Sequence, residues 1–300
     1  MQEAYYYYIQ KKILPPDCIV VFRCSLPCSE KIETLFIIYK GGAEMKNLHG
    51  TDRETMAWIN LYGVLGLLEE LCRTDDEARK LTADASVSIG FAVRNGPEGT
   101  LSFSGGTCTL QKDVSSCMIK LPFSSPEKFN GMIDGTVTPF PSKGFFKLGF
   151  LFHSFTKLTD ILSSYLKPTE EQLKNRQFFE TGTTLMLYLV AVAVAECGNH
   201  DKIGKFSAGY IPDGTICLAV KDGPAAAIVC KDHTLTAVKS RPAEWTASME
   251  FDSFETARSL FDGSANAMNC IGDGSIRCAG LMSMIDNMNR ILSRVGLYLG

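Results

Sequence analysis

The 300-residue sequence predicts an α+β fold in two parts, each a mostly antiparallel sheet covered by helices on one face. Three observations predict it. A pattern Phe-x-Ser-x-Glu followed by Asp-Gly occurs twice, at Phe123-Ser-Ser125-Pro-Glu127 with Asp134-Gly135 and at Phe251-Asp-Ser253-Phe-Glu255 with Asp262-Gly263; 251 − 123 and 263 − 135 both give 128 residues. A long apolar helix candidate precedes each copy and an amphipathic one ends it. Short alternating or β-branched segments bounded by turn residues lie between them.

In chain order, residues 1–49 stand outside the repeat. Ile19-Val-Val-Phe22 and Leu35-Phe-Ile-Ile-Tyr39 before Gly41-Gly42 read as strands of an N-terminal, strand-rich extension. The run from Met56 to Cys72 is a helix candidate, interrupted by Asn60, Gly63, Gly66, Glu69 and Glu70. The pair is continued by setting Ser88-Ile-Gly90-Phe91 against Ser207-Ala-Gly209-Tyr210, and the turns Asn95-Gly96 and Asp213-Gly214 follow them. Lys143 to Gly149 is set against Gly274 to Gly280, and Leu158 to Ser163 against Met288 to Ser293, with a small insertion. The copies span 50–168 and 172–300. Pro168 ends one helix, and Thr169 with Glu170 and Glu171 offers the next an N-cap and a favourable first turn.

The second copy is read in more detail. Arg176 to Ala195 is a helix, and Thr215–Val220 and Ala225–Val229 are strands joined by the turn Lys221-Asp-Gly-Pro224. Ala247–Phe251 alternates as a strand does. Ser253 caps a helix through Glu255 to Phe261 that ends at Asp262-Gly263. Ser275–Ala279 is a short strand, and Leu281–Tyr298 the last helix.

Composition narrows the function. With 45% hydrophobic and 21% charged residues the chain has the profile of a soluble globular protein. A net charge of −3 with no long basic run argues against nucleic-acid and anionic-membrane binding by counterion release. The apolar runs Met56–Cys72 and Leu185–Ala195 fall short of about 20 uninterrupted apolar residues, so neither is expected to insert in a bilayer. The start of the chain shows no basic-then-apolar leader pattern, and the eleven cysteines are scattered through apolar stretches. Both point to a cytoplasmic protein with buried thiols.

The stretch Thr246 to Val295, with its strand, short helix closing at Asp262-Gly263, strand ending at Gly280 and terminal helix, resembles the sterol-carrier-protein sterol-transfer domain. Met118 to Leu166 resembles it too, but departs from the pattern at Pro139-Phe-Pro141 and lacks residues before Lys143. The resemblance implies a tandem pair of such domains and an apolar tunnel between sheet and helices that takes a fatty acyl chain, sterol or other lipid. The candidate lining is Phe129, Met132, Phe145, Phe150 and Phe155 in the first copy, and Leu260, Met282, Ile285, Met288 and Leu292 in the second. Met side chains repack at low cost around ligands of variable shape. The same stripes are also what an ordinary core requires.

No residue set calls for catalysis, a metal or a cofactor. Asp134-Gly135 and Asp262-Gly263 are explained as helix-ending turns, and Glu127 and Glu255 as first-turn carboxylates favoured by the helix dipole. His49, His153, His200 and His233 do not repeat, and Cys24 and Cys28 lack a second ligand pair. No nucleophile elbow or phosphate loop occurs. Two other readings stay open: an interaction or scaffold module with filled pockets, which leaves room for a homodimer, and an accessory that presents substrate to an enzyme, with His153 near Cys117 or Asp160.

Overall fold

The computed structural model describes residues 18–22, 35–39 and 50–299. In the N-terminal stretch β1 (Cys18–Phe22) and β2 (Leu35–Tyr39) pair antiparallel, with Cys18 opposite Tyr39 and Phe22 opposite Leu35. Cys24, Cys28 and His49 lie outside the described residues. Residues Met1–Thr51 and Asp52–Gly300 form separate units; the remaining elements all belong to the second.

Its first half begins where Asp52 accepts the Glu54 and Thr55 amides and caps α1 (Arg53–Trp58). The helix continues through a π-helical turn at Ile59–Val64 and a 3-10 turn at Leu65–Leu67 into α2 (Leu68–Thr74). Ile59, Leu61, Leu67, Leu68 and Leu71 are fully buried, which is why this stretch carries so few charges. Asp75 caps α3 (Asp76–Thr82). Four strands follow: β3 (Ser86–Val93), β4 (Glu98–Ser104), β5 (Thr107–Gln111) and β6 (Ile119–Phe123). They lie in the order β5-β4-β3-β6, with β3 antiparallel to β4 and parallel to β6. Then come α4 (Pro126–Ile133), a second π-helical turn at Phe150–Phe155, and α5 (Thr156–Leu166).

The second half opens with α6 (Glu170–Leu173), where Thr169 and Gln172 form the capping box that Pro168-Thr169 announces. After α7 (Arg176–His200) and α8 (Lys202–Ala208) come β7 (Gly214–Val220), β8 (Ala225–Lys231), β9 (Thr234–Val238) and β10 (Ala247–Phe251). Next are α9 (Phe254–Phe261), α10 (Ala267–Asp273), β11 (Ile276–Gly280) and α11 (Met282–Leu299). This sheet has the order β11-β10-β7-β8-β9, again with one antiparallel and one parallel neighbour for its central strand β7. The protein is thus mixed helix and sheet, with two sheets of four and five strands.

The correspondence between the halves is closest at the hairpins, and there it corrects two sequence pairings. Asn95-Gly96 is matched by Asp222-Gly223, not by Asp213-Gly214. In Arg94-Asn95-Gly96-Pro97 the Val93 amide donates to Pro97 and the Gly96 amide to Val93; in Lys221-Asp222-Gly223-Pro224 the Val220 amide donates to Pro224 and the Gly223 amide to Val220. Asn95 and Asp222 both take positive φ, 56° and 55°, a conformation these short polar side chains tolerate. Ser207-Ala-Gly209-Tyr210 closes α8 and the turn after it, so the counterpart of β3 is β7. The proline after Asx-Gly was the sequence signal that fixes this register.

A third pairing also shifts. Lys120 and Lys143 form one antiparallel bridge where Ser248 and Ala279 lie within a full strand pair, so Gly144 corresponds to Gly280 rather than Gly149 doing so. Pro139 and Pro141 precede Lys143, and neither can donate to a ladder, which limits the first sheet to four strands. Gly144 has φ 90° and Gly280 φ 82°. A Cβ there would sit 2.3 Å from the Met118 carbonyl oxygen and 2.2 Å from the Thr246 carbonyl oxygen, respectively. Gly280→Ala therefore combines a left-handed strain of about 1–2 kcal/mol with a backbone clash. Urea unfolding should show a loss above about 2 kcal/mol; an unchanged midpoint would remove this explanation for the glycine.

Most buried apolar side chains form one continuous cluster from Ala57 to Tyr298, and Cys217, Ala219 and Ala225 form a small second one. α7 runs through it. That helix is long and apolar enough to cross a bilayer, but 67% of its most apolar window is buried inside the protein, and Gly182, Leu185, Leu187 and all of 188–198 are covered.

Candidate functional site

The interior between the first sheet and its helices is filled by rings. Phe91 lies 6.1 Å from Phe129 and 6.2 Å from Phe155, Phe103 lies 5.1 Å from Phe150 and 6.2 Å from Phe155, and Phe123 lies 5.2 Å from Phe129, measured between centroids. Most of these pairs are tilted or edge-on, the preferred geometry, and each adds about 0.5–1.5 kcal/mol beyond its burial. Of the candidate lining residues the structure brings Phe129, Phe150 and Phe155 into this cluster, and Met132 packs partly buried against the core.

The corresponding interior of the second half is built differently. It holds one ring pair, Phe251 buried and edge-on to Phe261 at 5.6 Å, and Met249, Met284, Ile285, Met288, Ile291 and Val295 are buried with Ala226, Ala247 and Ala257. Leu260 and Leu292 pack against them, partly covered. The buried positions Met284, Met288, Ile291, Val295 and Tyr298 of α11 repeat the spacing of Leu151, Phe155, Leu158, Leu162 and Tyr165 in the first half. Met288 thus occupies the position that Phe155 holds in the first half, and Leu158 is matched by Ile291 and not, as the sequence pairing has it, by Met288; a flexible thioether stands where a rigid ring does.

Two candidates stand at the surface instead of the interior: Phe145 is 52% and Met282 48% exposed. Each follows its left-handed glycine, where the chain leaves the sheet before the first buried turn of the closing helix.

The closing helices are latched by a tyrosine that sequence reasoning missed. The Tyr165 hydroxyl donates to Asp75 at 2.8 Å, and the Tyr298 hydroxyl to Asp201 at 2.8 Å. Both carboxylates are helix N-caps: Asp75 accepts from Ala78, and Asp201 from Ile203 and Gly204. The second latch is stronger, because Arg294 also donates to Asp201 at 2.8 and 3.3 Å with both partners buried. Burial opposes ionisation of Asp201, yet hydrogen bonds from Arg294, the Gly204 amide and Tyr298 outweigh it and hold the carboxyl below the usual carboxylate range. Burial is the larger cause pushing the Tyr298 hydroxyl up to about 12. The signal was present as Leu71-x-x-x-Asp75 and Cys197-x-x-x-Asp201 before each short helix, but only the fold brings a tyrosine to them.

The halves meet along α1–α2 and α7, and the contact is reciprocal. Tyr62 is raised by burial and then by the charge of Glu196, while Tyr188 is raised by burial and then by that of Glu70. His200 ends α7; it stacks on Trp58 at 3.9 Å and lies 3.4 Å from Glu196. Beside the seam is a cavity of about 170 Å³ lined by Glu70, Thr74, Glu180, Thr181, Thr184 and Phe254. Arg73 holds Glu70, and the Thr74 and Thr184 hydroxyls donate to main-chain carbonyls. Such a space suits a few waters at about 30 Å³ each and is too small and polar for an acyl chain.

The remaining charged candidates have structural partners. Asp134 and Asp262 end α4 and α9, and Asp262 accepts from Arg258 at 2.8 Å. Glu255 pairs with Arg176, which holds its carboxyl below the usual range. Cys117 is buried and its thiol donates to the Val114 carbonyl, whereas His153 and Asp160 are exposed. Six of the eight cysteines whose side chains are described are buried free thiols; burial is the main cause raising Cys108, and it pushes Cys197 up to about 12. Among the described residues no group of three or more His, Cys, Asp or Glu side chains is placed to hold a metal.

No family model matches the chain, and no curated protein does. Solved structures match. Sterol carrier protein domain 2 of Helicoverpa armigera is 14% identical with a TM-score of 0.31, over 37% of this chain and 87% of that one. A crystal structure of sterol carrier protein 2 is 16% identical with a TM-score of 0.30, over 38% and 96%. The apo form of sterol carrier protein 2 from Yarrowia lipolytica is 16% identical with a TM-score of 0.26, over 33% and 90%. Over about a third of its length, then, this chain is similar in structure to sterol carrier protein 2 domains.

Proposed function

We propose that the chain binds or transfers a hydrophobic ligand, a fatty acyl chain, sterol or other lipid, without catalysis, and that 50–168 and 172–300 are tandem copies of one domain behind the extension 1–49. The single observation carrying this reading is the contrast between the two interiors. Where the first half is closed by a cluster of six rings, the second half keeps only the Phe251–Phe261 pair and sets methionines of α11 and β10 among alanines, side chains that repack around a guest at low cost. The ligand enters by displacement of the Met282 end of α11, because the opposite end is fastened by Arg294 and Tyr298 to Asp201. Leu281 and Met282, 44% and 48% exposed, present the greasy lip of that entrance. The many buried thiols support a reducing cytoplasmic location.

Native mass spectrometry of the chain purified from cells tests the reading. It should show a mass increment of one acyl-type ligand per chain that organic extraction removes. Bare chain only, together with no uptake of a fluorescent fatty acid, would defeat it. That outcome favours the second reading, a rigid interaction module with filled interiors, for which the ring cluster of the first half and the core shared by both halves speak.

A further inference from the structure

We propose that the segment from Phe140 to Phe152 is a docking surface for an anionic lipid bilayer. Phe140, Phe145, Phe146 and Phe152 are 77%, 52%, 102% and 56% exposed, and the Phe140 and Phe145 rings lie 6.2 Å apart. Single apolar side chains on a surface need no explanation; four large rings within one segment do. They are not loosely held. Leu151, Phe155 and Leu158 of the same π-turn and helix are buried in the core, and the Lys143 amine donates to the Cys117 carbonyl at 3.0 Å, so the backbone that carries the rings is fixed to the sheet.

Charge selects the occupant. From Gly135 to Thr159 the sequence has no Asp or Glu, but it has Lys143, Lys147 and Lys157. Lys143 is committed to its carbonyl, while Lys147 and Lys157, near the rings in sequence, are exposed, and the first acids met on either side are Asp134 and Asp160. Phenylalanines flanked by lysines without acids match the acyl–headgroup boundary of a membrane carrying negative lipids. A second copy of this chain would set the same lysines against themselves. The chain's overall charge of −3 argues against membranes only at long range. Screening over about 8–10 Å lets the local balance govern contact.

Vesicle flotation of the full chain tests the surface without involving any interior ligand, so its failure leaves the lipid-binding reading standing. The chain should float with phosphatidylcholine vesicles containing phosphatidylserine, less so as salt rises. Removing rings in a Phe146→Ser/Phe152→Ser variant should weaken the partition about tenfold or more. A Lys147→Glu/Lys157→Glu variant should lose only the preference for phosphatidylserine. Both variants should melt as the parent does, because the changed side chains are exposed. The proposal is overturned if the parent floats on neither vesicle, if the double Phe variant floats unchanged, or if gel filtration shows a dimer that Phe146→Ser dissociates, which would assign the rings to a second copy.

Discussion

Replacing Arg294 by leucine is expected to destabilise the protein by about 3–5 kcal/mol, the cost of leaving a buried carboxylate without its cation. Arg294 and Asp201 are 10% and 3% exposed at their side chains, and Asp201 also serves the Ile203 and Gly204 amides and the Tyr298 hydroxyl. Losing one partner therefore disturbs the cap of α8 and the end of α11 together. The same network sets a pH dependence. The folded-state carboxyl of Asp201 titrates below its unfolded value of about 3.9. Its contribution to stability is thus fully present above that value and is lost as the pH falls through the lower, folded one. Urea midpoints measured from neutral pH into acid should fall less steeply in Asp201→Asn than in the parent, from a lower starting stability. Equal slopes would show that another carboxylate governs acid unfolding. The first-half latch has Tyr165 and Asp75 without an arginine counterpart, and Tyr165→Phe should cost only about 0.5–1.5 kcal/mol, a hydrogen bond's worth.

Phe129→Ala is expected to cost about 3–5 kcal/mol, because Phe129 is fully buried and touches both Phe91 and Phe123. Met288→Ala, at an equally buried position of the second half, should cost about 2–3 kcal/mol, the lower part of the range for truncating a buried methionine. Both changes cut to alanine, so the pair reads how far each interior closes over the space left. A rigid ring cluster cannot collapse into it, whereas a methionine-rich lining adjusts. Chemical denaturation of the two variants checks it, and a Met288→Ala loss as large as that of Phe129→Ala, despite the smaller side chain, would mean that the second half is packed as tightly as the first.

Much of this arrangement is legible in the amino-acid order. The repeated pattern around Phe123 and Phe251, the helix ends at Asp134-Gly135 and Asp262-Gly263, and four of the five second-half strands follow from local pattern, to within one or two residues of their observed ends; the structure adds β9, where only Leu235 of five residues is buried and the pattern is correspondingly faint. Two things were not. Register between the halves failed wherever a two-residue likeness such as Gly-aromatic competed with a structural one; Asn95-Gly96-Pro97 against Asp222-Gly223-Pro224, and Gly144 against Gly280, are set by hydrogen bonding and positive φ that only the fold displays. The latches and the seam join residues far apart in sequence, such as Asp201 with Tyr298 and Tyr62 with Glu196, and no periodicity within one segment announces them. Among the lining candidates, Phe155 and Met288 are buried, a distinction the list of candidates did not draw. Helical spacing could not tell that Phe145 and Met282 precede the first buried turn and face water.

Titration with cis-parinaric acid, a fatty acid that fluoresces when it leaves water, tests the central claim most directly. The account predicts saturation at one probe per chain, displacement by oleate, and at least tenfold weaker binding in Met288→Phe, which gives the second half the ring that Phe155 supplies in the first. No uptake, two equivalent sites, or unchanged binding in Met288→Phe would contradict it.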